Sequence, residues 1–131
     1  MEQQSISMAI VNPHAGGIDV GSRSHWVAVG QKEEDIREFG VFNDDLFDMA
    51  DWLEQRKVTT LAMESTGTYW QNLYAVLLSR GFKVILCNGK FTKNIQGKKT
   101  DVKDCQWIQK LHSLGLLSSS FLPDGETEQL R

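Results

Sequence analysis

The sequence predicts an α/β domain whose sheet opens with three antiparallel strands and continues with parallel ones, flanked by helices. Two observations carry this reading. The β-rich runs GGIDV and HWVAVG lie on either side of a short Gly- and Ser-containing stretch, residues 21–24, which is the pattern of a hairpin. Downstream, apolar strand-like runs alternate with segments of helical spacing, the order that parallel strands joined by crossovers produce.

Residues 1–14 carry little pattern and read as a loose arm before a domain spanning residues 15–120. After the hairpin, DIREFGVF is rich in β-branched and aromatic residues and ends at Asn43-Asp44, so it reads as a third strand. Asn43 or Asp44 is placed to cap a helix in which Leu46, Met49, Ala50 and Leu53 recur at helical spacing while Asp48, Asp51 and Glu54 face away. TTLAME is a short strand ending in a carboxylate. After the STGT turn, a helix turns Leu73, Val76 and Leu77 inward until Gly81 stops it. KVILCN is apolar almost throughout, which suits a strand covered on both faces. Residues 89–100 are basic, contain Gly89 and Gly97, and read as a loop. A third helix is expected from Thr100 to near Gly115, with Val102, Cys105, Ile108 and His112 on its buried stripe. Residues 121–131 contain the start of a helix, ETEQLR, that is expected to continue as a linker or coiled coil toward a further domain.

Composition excludes some classes of function. The chain is 131 residues long with 40% hydrophobic and 24% charged residues, ordinary for one globular domain. No apolar run approaches the ~20 residues that span a bilayer, and the N-terminus lacks the basic and apolar regions of a signal peptide, so a cytoplasmic location is expected. Cys87 and Cys105 lack the spacing of a metal or redox pair and read as buried, inert thiols.

The net charge of −3 is segregated rather than mixed. Residues 33–54 hold nine acids (Glu33, Glu34, Asp35, Glu38, Asp44, Asp45, Asp48, Asp51 and Glu54) against Arg37 alone. Residues 80–103 reverse the sign, with Arg80, Lys83, Lys90, Lys93, Lys98, Lys99 and Lys103 against Asp101. Lys90, Lys93, Lys98, Lys99 and Lys103 are the candidate nucleic-acid contacts, since such a stretch can track a phosphate backbone. The competing reading is a solvated loop kept soluble by its lysines.

Four carboxylates carry the chemistry. In an α/β sheet, reactive groups gather at strand ends, and Asp19 lies on the first predicted strand while Glu64 closes the fourth. Asp101 and Asp104 stand three positions apart on a predicted helix, which puts them on one face. Such a cluster repels itself unless a hard divalent cation balances it, so Mg²⁺ or Mn²⁺ is the expected cofactor. Two such ions roughly 4 Å apart serve phosphoryl transfer on nucleic acid. Each residue alone has a structural alternative: Asp19 as a turn residue, Glu64 as a helix cap, and Asp101 with Asp104 as partners of a helix dipole. Their order and placement together argue for the site. His25 reads as an ordinary strand residue, and His14 and His112 have no partner at ligand spacing. Tyr69 and Trp70 read either as core or as contacts to a base.

GIDVGSRSHWVAV, AMESTGTYW, LLSRGFKVILCN and KKTDVKDC resemble, in order and at nearly the same spacing, the four blocks of the DEDD transposases of the one-ten insertion-sequence group, relatives of the Piv and MooV DNA invertases. The likeness covers about residues 16 to 115, and ESTGTYW and KTDVKD are its most specific strings. It implies a ribonuclease H-like (RuvC-like) fold with Asp19, Glu64, Asp101 and Asp104 as the metal-holding catalytic tetrad. It also implies DNA as substrate, a bridge RNA that selects donor and target, and homo-oligomers. A coiled coil beginning near Glu126 and a second domain with a serine nucleophile are implied as well. Small departures are Asn88-Gly89 where Asn-Pro is frequent, Cys105 where Ala is usual, and Ser22-Arg23 where a lysine is common.

Two other enzymatic readings compete. A RuvC-like Holliday-junction endonuclease would use the same tetrad without a serine domain. GIDVGS also resembles the phosphate-binding hairpin of actin-like sugar kinases and ATPases, a reading that leaves Asp101 and Asp104 unused. A structural or RNA-binding module with a vestigial acidic pocket is the non-enzymatic alternative.

Overall fold

The computed structural model describes residues 9–64, 67–87 and 104–117. Within them lie strands β1 (Ala15–Asp19), β2 (His25–Ala28), β3 (Ile36–Phe39), β4 (Thr60–Glu64) and β5 (Lys83–Cys87), with helices α1 (Asn43–Gln55), α2 (Trp70–Ser79) and α3 (Asp104–Ser113). The strands form one sheet in the order β3-β2-β1-β4-β5. Pairing is antiparallel from β3 to β2 to β1 and parallel from β1 to β4 to β5. This is the mixed sheet expected from the sequence, and it is compatible with a ribonuclease H-like fold.

Three layers follow from the strand pleat. Alternate residues face opposite sides, and the sheet buries Ile18, Val27, Leu61, Met63, Val84 and Leu86 against Leu46, Met49, Ala50 and Leu53 of α1 and Leu73 and Leu77 of α2. On the other face, Ala62, Ile85 and Cys87 pack with Trp107, Ile108 and Leu111 of α3 and with Leu117. Strand β5 therefore feeds both cores, which is why KVILC is apolar almost throughout.

Helix α1 begins at Asn43, but neither Asn43 nor Asp44 caps it. The Asp45 carboxylate accepts a hydrogen bond from the Phe42 N–H at 3.1 Å. Asn43 instead accepts from Asn72 on α2 at 2.9 Å, which ties the first turns of the two helices together. Strand β3 is shorter than the run DIREFGVF suggests: Asp35 closes a 3-10 turn ahead of it, and the strand stops at Phe39, before Gly40. Helix α2 ends as expected at Gly81, whose φ of +91° suits glycine. The expected start of the third helix at Thr100, the stripe residue Val102 and the basic loop of residues 89–100 lie outside the described residues. Within α3, burial extends beyond the expected stripe to Trp107, Gln109 and Leu111.

No helix among the described residues is long and apolar enough to cross a membrane.

Candidate active site

The C-terminal ends of the parallel strands form one edge of the sheet, and three of the candidate carboxylates, Asp19, Glu64 and Asp104, lie along it. In the β1–β4 ladder Gly17 pairs with Ala62 and Ile18 with Met63, so the next step of the register sets Asp19 beside Glu64. Glu64 in turn pairs with Cys87, Asp19 with Trp26, and Trp26 with Glu38. Glu38, Trp26, Asp19, Glu64 and Cys87 thus form one row across all five strands. Ala62 and Cys87 belong to the core under α3, so the row stands on the α3 face.

Helix α3 runs antiparallel to β1 and β4 over that face. Its last turn sits at the opposite edge, where His112 Nε2 lies 2.9 Å from Thr60 Oγ1 at the start of β4, and Val11 and Asn12 N–H donate to the Ser113 carbonyl. Its first residue, Asp104, therefore comes to the carboxylate edge. Two devices fix this register. Gly17 allows the helix backbone to press on β1: a Cβ there would lie 2.7 Å from the Cys105 carbonyl oxygen and 2.8 Å from Gln109 Cα. An amide clasp then joins α3 to the sheet and to the β2–β3 connection. Gln109 Nε2 donates to the Ala15 carbonyl at 3.1 Å, and Gln31 Nε2 donates to Gln109 Oε1 at 2.5 Å and to the Gln106 carbonyl at 2.9 Å. Gln106 Nε2 returns a bond to the Gln31 carbonyl at 2.9 Å.

Asp19 and Glu64 are partly buried and Asp104 is exposed. The donor set is all carboxylate oxygen, which fits a hard divalent cation rather than a soft one. Among the described residues no three His, Cys, Asp or Glu side chains form a group that could hold a metal ion. Asp101, the fourth predicted member, lies outside the described residues, as do Lys90, Lys93, Lys98, Lys99 and Lys103. The structure thus brings three of the four carboxylates to one edge and leaves the basic stretch undescribed.

Cys87 does not add a thiolate to the row. Burial, with the negative charge of Glu64, pushes its thiol up to about 12, so it stays protonated. Cys87 and Cys105 are both buried, as expected. His25 is buried and its Nδ1 accepts a hydrogen bond from the Gly21 N–H at 3.2 Å, closing the β1–β2 turn. Burial lowers its pKa and keeps it neutral, a structural role as expected. Trp70 donates Nε1–H to the Gly67 carbonyl at 3.0 Å and meets Tyr74 edge to face at 5.7 Å, a packing role, whereas Tyr69 is 56% exposed. Trp26, Gly17 and the Gln31–Gln106–Gln109 clasp were not singled out in the sequence. The Gly16-Gly17 pair is the one local signal that could have pointed to a close helix approach.

The profile of the DEDD transposase family of insertion sequence IS110, described as "Transposase", matches residues 16–131. No curated protein gives a match.

Proposed function

The chain belongs to the DEDD transposase family of the one-ten insertion-sequence group, and from that premise we propose that it cuts and exchanges DNA strands by divalent-metal-dependent phosphoryl transfer at Asp19, Glu64, Asp101 and Asp104. As a transposase domain it is an enzyme of DNA. The observation that supports the finer reading is the in-register placement of Asp19 beside Glu64 on adjacent parallel strand ends, at the edge to which α3 brings Asp104. Mg²⁺ or Mn²⁺ held there would supply positive charge to the phosphoryl group in flight.

The chain's own residues prepare that site. Asp19 and Glu64 sit on rigid strands, so their carboxylates are positioned before any ligand arrives. Gly17 and the glutamine clasp hold α3 at the height that sets Asp104 over the same edge. Cys87, kept as a neutral thiol, leaves the ligand set to oxygen. The basic residues Lys90, Lys93, Lys98, Lys99 and Lys103 precede Asp104 in the chain and supply backbone contacts to the nucleic acid in this reading. A bridge RNA, a serine nucleophile in a further domain, a multimeric assembly and a cytoplasmic location complete the proposal. Strand exchange is favoured over a sugar-kinase activity because the family matched is one of transposases. The junction-endonuclease alternative shares the tetrad and differs in dispensing with the serine.

Calorimetric titration of Mg²⁺ and Mn²⁺ into the chain and into Asp19→Asn, Glu64→Gln, Asp101→Asn and Asp104→Asn tests this reading. Binding to the parent and its loss in each variant is expected, with metal-free melting temperatures at or above the parent because repulsion is relieved. Parental binding in any variant removes that residue from the site, and a markedly lower melting temperature for Asp104→Asn would return it to a helix-capping role.

A further inference from the structure

Arg23 stands apart from every other cation described. It lies on the turn between β1 and β2, four residues beyond Asp19, at the edge where the candidate carboxylates gather, and it is exposed. Among the described residues it is the one Lys or Arg at that edge. Lys57 and Arg80 follow the far ends of α1 and α2, Lys83 begins β5, Lys110 lies in the second half of α3, and Lys32 follows the far end of β2. Arg37 lies in the middle of β3, opposite Val27.

The other described arginines are all engaged. Arg37 lies over the Phe39 and Trp52 rings at 5.0 and 6.0 Å. Arg56 lies 5.5 Å from the Trp52 ring and pairs with Asp35. Arg80 pairs with Asp51 at 2.5 Å and Glu54 at 3.0 Å. Arg23 makes no ion pair, hydrogen bond or ring contact among the described residues, although Asp19 lies on β1 of its hairpin and Glu38 on the neighbouring β3.

The turn that presents Arg23 is fixed from both ends. The Gly21 N–H donates to His25 Nδ1 at 3.2 Å, and Ser24 Oγ donates to Glu38 Oε2 at 2.6 Å. A Cβ on Gly21 would collide with the Ser24 carbonyl oxygen, so the turn is closed around a glycine. Glu38, on β3 in the same row, accepts that hydrogen bond from Ser24. An unpaired guanidinium on a rigid turn beside carboxylates is arranged for an anion that arrives from outside. A polyanionic strand approaching a cluster of carboxylates needs a local counter-charge, and the planar fork of arginine matches a phosphate with two parallel hydrogen bonds.

We propose that Arg23 is a phosphate-binding residue of this edge, holding a backbone phosphodiester of the DNA strand that enters the carboxylate site. The proposal rests on the strand-transfer reading above for the identity of the strand.

The test is fluorescence anisotropy of a labelled DNA duplex with the 131-residue chain in Mg²⁺ across a salt series, for the parent, Arg23→Ala, Arg23→Lys and Lys110→Ala. Arg23→Ala should bind about tenfold more weakly, the scale of one charged hydrogen-bonded contact. Its slope of log affinity against log salt should be shallower by about 0.9, one duplex phosphate. Arg23→Lys should restore the slope but only part of the affinity, because a point charge lacks the fork. Lys110→Ala, at the other end of α3, should leave both unchanged. An unchanged slope in Arg23→Ala, an equal loss in Lys110→Ala, or no binding by the parent overturns the proposal. A duplex RNA of the same sequence is the second arm, and a loss confined to RNA would overturn the assignment to DNA. Loss of metal binding in Asp19→Asn alongside parental DNA binding by Arg23→Ala would sink Arg23 alone and leave the carboxylate site standing.

Discussion

Gly17→Ala is the smallest change expected to separate α3 from the sheet. A methyl at this position would sit 2.7 Å from the Cys105 carbonyl oxygen and 2.8 Å from Gln109 Cα, all backbone of the covering helix. Ordinary contact begins near 3.4 Å, so α3 has to lift by the better part of an ångström. Overpacking of this kind costs about 1–3 kcal/mol. The lift also stretches the buried bond from Gln109 Nε2 to the Ala15 carbonyl, now 3.1 Å, and leaving such groups unpaired costs about 1–3 kcal/mol more. Together these give roughly 2–6 kcal/mol, which at ~4 °C per kcal/mol for a domain of this size lowers the melting temperature by about 8–24 °C. Circular dichroism melting measures it, with Gly16→Ala as the comparison. A Cβ on Gly16 meets the flexible end of Leu61 at 2.7 Å, and its nearest backbone contact, the Ala28 carbonyl oxygen, is at 3.4 Å. The neighbouring substitution should therefore be clearly milder. If Gly17→Ala melts within ~2 °C of the parent, or if Gly16→Ala is the more damaging, the close approach of α3 does not set the register of the site.

Two further outcomes follow from the buried titratable groups. Burial lowers the pKa of both His25 and His112, and Lys83 adds to the effect at His112. Above the ordinary value of 6.5 these residues are neutral in folded and unfolded chains alike, whereas below it the unfolded chain takes up protons that the folded one resists. Stability should thus fall as pH drops below 6.5, and His112→Gln should flatten that fall; an equally steep pH profile in the variant would exclude His112 as a source. Cys87, pushed up to about 12 and buried, and the buried Cys105 should resist alkylation by iodoacetamide in the native chain and react on unfolding. Mass spectrometry that finds either thiol modified at native pH would show that the α3 face opens readily.

The parts of the fold visible in the sequence were those encoded locally. The hairpin showed itself because two β-rich runs flank residues 21–24, and the structure uses that stretch as the turn. Helices α1 and α2 showed themselves through Leu46, Met49, Ala50, Leu53, Leu73 and Leu77, whose 3.6-residue spacing survives as burial. Helix α1's cap is less legible, because Asn43 and Asp44 both have capping chemistry. The helix starts one residue earlier, with Phe42 at its N-cap, so Asn43 and Asp44 fall inside the first turn and the Asp45 carboxylate takes the Phe42 N–H.

The carboxylate edge was legible in part, for a different reason. That Asp19 and Glu64 close strands can be read from where apolar runs stop. That they stand side by side depends on the parallel register of β1 and β4, a relation between segments forty-five positions apart that no local pattern records. The same register brings Trp26 next to Asp19 and Cys87 next to Glu64, neighbours without any motif of their own. Register is cheap to specify in this sheet because both faces are buried: a one-residue slip of β4 would turn Met63 out of one core and Ala62 out of the other. The hydrophobic alternation that secures the fold is therefore also what sets Asp19 and Glu64 side by side at its edge.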